Sequence, residues 1–264
     1  MTFAGLQLAR RLEAAEAAND VACAEAHQRL NPALGAAVLP VAGGFAIFVG
    51  VQSPLTHALG LGMCRPVRAE EIARMEQFYR ERAVSAAIDL CPLADASLVE
   101  LLTRRGYRVV EFNNVLVRPL PGLASAAGDP TIRLAMDAGE WLWARTVGRG
   151  FLEKDVLTDD EMQVGRSIWH MPGVRGYLAS RGDSAEAAAA MTIRDGLAVL
   201  FADSTTLGHR GTGLQSTLIL QRLRDAVGAG CDLAIATTAP GSVSQRNYER
   251  AGFQVAYTKV VLAQ

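Results

Sequence analysis

The sequence has little of what marks several common classes of protein. Its 264 residues include four cysteines, which form no Cys-x-x-Cys pair, and four scattered histidines. This scarcity argues against a disulfide framework or a metal site, and it favours reduced, buried thiols in a cytoplasmic protein. The net charge of −1 predicts no attraction to nucleic acid or to an anionic membrane. No apolar run approaches the roughly 20 residues that cross a bilayer, and the early charges predict no signal peptide.

What is present is a large apolar fraction arranged in helix and strand patterns. Half of the residues are hydrophobic and a fifth are charged, as in a globular protein with a substantial core. The periodicity predicts a long first helix over 6–30 and a mixture of helices and strands after it. A stretch rich in Pro, Gly, Ala and Ser follows, and we predict a linker over 121–130.

The pattern restarts after this linker. Leu102–Val110 and Tyr248–Ala256 each resemble the end of a helix, a glycine cap, an aromatic residue and a strand. This order predicts an internal duplication with an α/β fold class, in which each unit is a central mixed β-sheet flanked by helices. The predicted domains are 1–120 and 131–264. The alanine-rich run Ala185–Ala190 has helical propensity, but its place in the pattern predicts a strand.

The most informative segment is Leu197–Ser216, where an apolar strand leads into a glycine-containing loop that opens a long helix. Backbone N–H groups at a helix N-terminus bind anions, and glycines let a phosphate approach closely. Arg210 adds a planar cationic donor. The segment lacks the Gly-Lys-Ser/Thr of a Walker loop and the third glycine of a dinucleotide fingerprint. We predict a phosphate-binding loop.

This loop resembles that of the GNAT-type acetyltransferases. Arg210, Gly213 and Gln215 occupy the positions of their Arg-x-x-Gly-x-Gly/Ala motif, with Gln215 departing from the usual small residue. Tyr248–Phe253 is similar to their C-terminal Tyr-Glu-x-x-Gly-Phe signature, so the resemblance covers about half of the chain. It implies an acetyl-CoA-dependent N-acetyltransferase in the second unit. The matching loop of the first unit, Met63–Arg68, has no glycine and implies a degenerate copy without coenzyme.

The resemblance also implies roles for individual residues. The arm of acetyl-CoA would enter between strands 197–206 and 232–238. Tyr248 would protonate the leaving thiolate and Asp203 would act as the base, with helix packing, a strand-end cap and ordered water as the alternatives. The predicted coenzyme-binding residues are Ala202, Ser204, Thr205, Arg210, Gly211, Thr212, Gly213, Leu214, Gln215, Ser244 and Asn247. Trp141, Phe151 and Trp169 would line the acceptor pocket, with core packing as the alternative.

The predicted reaction is direct acetyl transfer to a primary amine of a small molecule, with proximity in a ternary complex as the main source of rate. A homo-oligomer is compatible with the sequence. Three alternatives stay open. The chain could be a non-catalytic acyl-CoA sensor or scaffold, or an acyltransferase that uses another acyl-CoA or a hydroxyl acceptor. It could also be a nucleotide-binding protein of a different fold.

Overall fold

The computed structural model describes residues 5–122, 131–135, 139–181 and 184–264. In these residues the chain is a mixed α/β protein, so the predicted fold class is confirmed. None of the described helices combines the length and the apolar character needed to cross a membrane. The helices are α1 (Leu6–Leu30), α2 (Ala69–Arg80), α3 (Ala96–Arg104), α4 (Glu140–Leu152), α5 (Asp159–Trp169), α6 (Leu214–Gly228) and α7 (Val243–Arg250). The strands are β1 (Ala37–Val41), β2 (Gly44–Phe48), β3 (Ala58–Leu59), β4 (Ala87–Leu90), β5 (Arg108–Pro119), β6 (Ile132–Leu134), β7 (Arg175–Arg181), β8 (Ser184–Arg194), β9 (Leu197–Thr205), β10 (Leu233–Thr238) and β11 (Gln254–Ala263).

The chain divides into two compact units. Unit 1 comprises Met1–Val115 and Val255–Gln264, and unit 2 comprises Leu116–Gln254. The closing strand β11, which the sequence assigns to the second unit, therefore lies in unit 1 from Val255 onward. The reason is its pairing, because β11 runs antiparallel to β4 with Val260 opposite Leu90. Residues 123–130 of the predicted linker lie outside the described residues.

Unit 1 has the strand order β1-β2-β3-β4-β11-β5. Its core combines these strands with the apolar faces of α2 and α3. β3 has only two residues, because Gly60 and Gly62 follow with φ of +70° and +68°. β1 was not predicted from the sequence.

The cysteines only partly match the expectation of buried thiols. Cys23, Cys91 and Cys231 are buried, as predicted, and form no disulfide. Cys64 is also free but exposed, so its predicted burial is wrong. It lies in the surface segment between β3 and α2, where the apolar pattern of the neighbouring elements is interrupted.

Unit 2 has the strand order β5-β10-β9-β8-β7-β6, to which β5 contributes its residues from Leu116 onward. β9 and β10 are parallel, and β6 to β9 are successively antiparallel. The alanine-rich β8 is a strand as predicted, because it is paired on both sides and buried. Its small side chains leave room for Trp143, whose indole donates to Ala189 O at 3.1 Å. The core includes the apolar faces of α6 and α7.

Candidate functional site

The ladder between the parallel strands β9 and β10 ends before their carboxyl ends. Their register pairs run from Leu233 opposite Leu197 to Ile235 opposite Val199. Beyond the last pair, β9 continues to Thr205 and β10 to Thr238. We call this unpaired region between the two strand ends the opening, and it lies at the edge of the sheet where ligands of α/β proteins commonly bind. The resemblance to GNAT-type acetyltransferases implies this region for the coenzyme arm, and that assignment stays a prediction.

β9 contains a β-bulge beside this opening. The register with β8 shifts from Ala190 opposite Phe201 to Ala188 opposite Ser204, so two residues of β9 face one residue of β8. Ala202, inside the bulge, has a φ of +54°, which is unusual for a residue with a side chain. Such backbone conformations cost of order 1–3 kcal/mol and cluster at functional sites.

The bulge changes the direction in which the following side chains point. Ala198 and Leu200 belong to the core that includes α6 and α7. Simple alternation would send Asp203 to the opposite face, toward α4. The extra residue instead returns Asp203 to the side of α6 and α7 and turns Ser204 toward α4, where its hydroxyl donates to Val147 O at 2.7 Å.

Asp203 is the centre of a buried ion-pair network. Its Oδ2 accepts a 2.6 Å hydrogen bond from the Tyr248 hydroxyl and a 3.1 Å bond from Arg222 Nη1, and its Oδ1 pairs with Arg222 Nη2. Arg222 is fully buried and Tyr248 is 1% exposed. The structure thus brings together the two predicted catalytic residues, and it joins them to an arginine that sequence reasoning missed.

The position of Arg222 in the sequence carried a usable signal. It lies four residues after Leu218 and four before Ala226, on the buried apolar stripe of α6. An arginine on such a stripe requires a partner, because a buried charge is costly when it is unpaired. In the structure that partner is the strand residue Asp203.

Arg222 also holds the backbone around the bulge. Its Nη1 donates to Ala190 O at 3.0 Å and to Phe201 O at 3.4 Å, and its Nε donates to Leu218 O at 3.2 Å. The first two carbonyls belong to the last register pair before the bulge. The guanidinium therefore fixes β8 and β9 where the ladder is interrupted.

The electrostatics keep the Tyr248 phenol protonated. Burial raises the pKa of Tyr248 well above its usual value, and the charge of Asp203 acts in the same direction against that of Arg222. Burial lowers the pKa of Arg222, but the Asp203 carboxylate and the Tyr248 hydroxyl together raise it above its usual value. Tyr248 and Asp203 already satisfy each other, so their proton-transfer roles stay predictions.

The predicted phosphate loop forms an uncapped helix start. Gly211 and Gly213 have φ of +78° and +87°, and Gly213 is the N-cap of α6. No side chain caps this helix and its first turn contains no acidic residue. The N-terminal N–H groups of α6, which include that of Leu214, are therefore suited to an external anion. The Leu214 side chain itself is buried in the core.

Arg210 lies beside this helix start and is bound to the end of α4. Its Nη1 donates to Glu153 Oε1 at 2.7 Å and its Nη2 to Gly150 O at 3.0 Å, while 47% of its side chain stays exposed. Thr212 Oγ1 donates to His209 O at 2.6 Å and stabilises the loop. The guanidinium is thus held at the surface, next to the glycines.

Three other predicted coenzyme-binding residues contact one another. The Gln215 side chain donates from Nε2 to Ser244 Oγ at 2.9 Å and accepts at Oε1 from Asn247 Nδ2 at 2.8 Å. Gln215 is on α6, and Ser244 and Asn247 are on α7. The side chain that departs from the motif therefore connects the two helices that follow β9 and β10.

The predicted aromatic pocket residues have different surroundings. Trp169 contacts the fully buried Trp143 at a centroid distance of 5.9 Å. Trp141 is 51% exposed and lies beneath the Arg166 guanidinium, 4.4 Å from it. Phe151 is 60% exposed at the end of α4. Trp169 thus packs on a buried side chain while Trp141 and Phe151 are exposed, and their role in an acceptor pocket stays a prediction.

The corresponding loop of unit 1 carries its own anion. The Glu71 carboxylate, in the first turn of α2, accepts from Arg65 at 2.6 and 2.9 Å and from the Arg68 N–H at 3.0 Å. The Arg65 guanidinium holds the pKa of Glu71 well below its usual range, at about 2. A carboxylate therefore occupies the position where α6 of unit 2 has none.

No protein-family model and no curated protein matches the sequence. Solved structures do match. A GCN5-related N-acetyltransferase from Kribbella flavida is 19% identical, with 94% of this chain and 95% of that chain covered and a TM-score of 0.64. One from Sphaerobacter thermophilus is 14% identical, with 87% and 75% covered and a TM-score of 0.58. A tandem GNAT protein from the clavulanic acid biosynthesis pathway is 14% identical, with 78% and 73% covered and a TM-score of 0.58. The chain therefore has the GNAT fold.

Proposed function

We propose that unit 2 binds acetyl-CoA and transfers the acetyl group to a primary amine of a small molecule. The observation that carries this proposal is the uncapped, acid-free start of α6, with its two left-handed glycines and Arg210, beside the opening between β9 and β10. A diphosphate suits that position, because the helix dipole and free N–H groups stabilise negative charge. The proposal includes a cytoplasmic location.

The residues present fit an acyl-CoA. The N–H groups of the first turn of α6 and the Arg210 guanidinium would hold the diphosphate. The backbone of β9 from Ala202 to Thr205 would bind the arm in the opening, and Ser244 and Asn247 would contribute side-chain hydrogen bonds. Acetyl-CoA supplies, when bound, an activated thioester carbonyl.

The protein would contribute position and polarity rather than strong acid–base chemistry. A bulge leaves backbone groups of its strand without ladder partners, and such preorganised donors can stabilise the oxygen of a reacting carbonyl. The Asp203–Arg222–Tyr248 network holds this bulge in place. The Tyr248 hydroxyl donates its hydrogen bond to Asp203. An acid role therefore requires Tyr248 to donate to the leaving thiolate instead of Asp203 during the reaction. Ordered water is the alternative acceptor of the amine proton.

A second candidate is an acyl-CoA-binding protein that transfers nothing. It is favoured by one observation, namely that both predicted catalytic side chains are bound to each other and to Arg222. In either case we infer that unit 1 binds no coenzyme at α2, because Glu71 already occupies that helix start.

The test is release of free thiol from acetyl-CoA in the presence of a panel of small primary amines. The matching alcohols and longer acyl-CoA donors are assayed in parallel. We expect amine-dependent thiol release that falls at least tenfold in Arg210→Ala, and no such fall in Arg145→Ala, an exposed arginine on α4. Saturable binding without thiol release for any acceptor would contradict the transferase and support the binding protein. Release with alcohols alone would make the acceptor a hydroxyl.

A further inference from the structure

The Gln215 carboxamide uses both of its polar ends within the protein. Its nitrogen donates to Ser244 and its oxygen accepts from Asn247, at 2.9 and 2.8 Å. Gln215 is the second residue of α6, and Ser244 is the second residue of α7. One side chain therefore bridges the starts of two helices.

This bridge lies at the mouth of the opening in unit 2. α6 follows β9 and α7 follows β10, so both helices begin beyond the carboxyl ends of two neighbouring parallel strands. The ladder between these strands has already ended at Ile235. A ligand arm that enters between the strands from this edge meets the Gln215 bridge.

We propose that Gln215 is a gate residue that closes the opening in the coenzyme-free protein and determines how readily the amide-containing arm of an acyl-CoA enters. This inference rests on the proposed binding of acetyl-CoA. The arm carries amide groups with the same donors and acceptors as the Gln215 carboxamide. On entry, they replace Gln215 as the partners of Ser244 and Asn247, and the partly exposed Gln215 carboxamide turns to water.

Substitution of a gate residue should tighten acetyl-CoA binding, whereas substitution of a residue that contacts the coenzyme should weaken it. Gln215→Ala should bind acetyl-CoA about 5- to 30-fold more tightly, the equilibrium factor of one to two ordinary hydrogen bonds, and with a faster association rate. Adenosine 3′,5′-diphosphate, which has no arm, should bind wild type and variant equally. The matched control is Gln221→Ala on the same helix, where the side chain donates to Asp225 at 2.9 Å within α6. It should change neither affinity.

Calorimetry and stopped-flow binding measure both ligands, with tryptophan fluorescence to verify folding. Gln215→Asn, whose amide is one methylene shorter and cannot hold both partners, should change acetyl-CoA binding in the same direction if the alanine variant does not fold. Unchanged or weaker acetyl-CoA binding in a folded variant, with wild type still binding, would overturn the gate alone. Absence of acetyl-CoA binding in wild type would overturn the proposed function and the gate with it.

Discussion

Substitution of Arg222 by methionine should destabilise unit 2 severely. The guanidinium is fully buried and satisfies Asp203, together with carbonyl oxygens of β8, β9 and α6. Methionine keeps much of the volume but leaves the Asp203 carboxylate with Tyr248 alone. Removal of one partner from a buried ion pair costs about 3–5 kcal/mol. We therefore expect the free energy of unfolding of unit 2 to fall by that amount.

The chain offers a selective assay for this effect. All three tryptophans lie in α4 and α5 of unit 2, so their fluorescence in a urea titration reports on that unit. Arg224→Met is the matched control, because Arg224 is on the same helix and makes a hydrogen bond to Gln221 at 2.7 Å near the surface. It should cost less than about 1 kcal/mol.

A double-mutant cycle separates the pair from the packing. Arg222→Met combined with Asp203→Asn should cost less than the sum of the two single variants by about 1–3 kcal/mol, because the buried carboxylate is no longer left without its cation. The reasoning is refuted if Arg222→Met unfolds within 1 kcal/mol of wild type, or if the two substitutions are additive.

Two further predictions concern α4 and unit 1. Gly150→Ala should destabilise unit 2 by about 1–3 kcal/mol in the same urea titration, since its new Cβ would overlap the end of β9. Gly148→Ala, whose Cβ meets only a leucine side-chain end, should stay within about 1 kcal/mol of wild type. The pKa of His57 is raised to about 9, because its bond to Asp20 and the charge of Asp89 outweigh burial. A raised folded-state pKa gives stability that is complete below pH 6.5 and lost as the pH rises toward 9. In circular-dichroism melts, His57→Gln should remove that loss, and an unchanged pH profile would contradict it.

Most of the fold could be predicted from the sequence, because the hydrophobic periodicity and the positions of the glycines indicate the same helix and strand boundaries along most of the chain. The alanine-rich β8 is an example. Its position between two strands correctly predicted a strand, although its alanines favour a helix. The placement of β11 in unit 1 could not be predicted from the sequence. It depends on long-range pairing with β4, which no local pattern encodes.

The candidate site was only partly readable for a related reason. The helix start at Gly213 could be predicted from the sequence, because its glycines and Arg210 are neighbours along the chain. The partners of Asp203 come from α6 and α7, and they reach it only because the bulge at Ala202 reverses the direction of its side chain. β9 is apolar at every position from Leu197 to Ala202, so it has no alternation in which a one-residue shift could be seen.

The most direct test of the central claim is a calorimetric titration of acetyl-CoA into the purified protein and into the Arg210→Ala/Gly213→Glu double variant. We expect saturable binding at one site per chain in wild type, because α2 of unit 1 already carries Glu71 at its start. We expect loss of that binding in the variant, because the guanidinium is removed and a carboxylate is placed at the start of α6. Absence of binding in wild type, or equal binding in the variant, would contradict it.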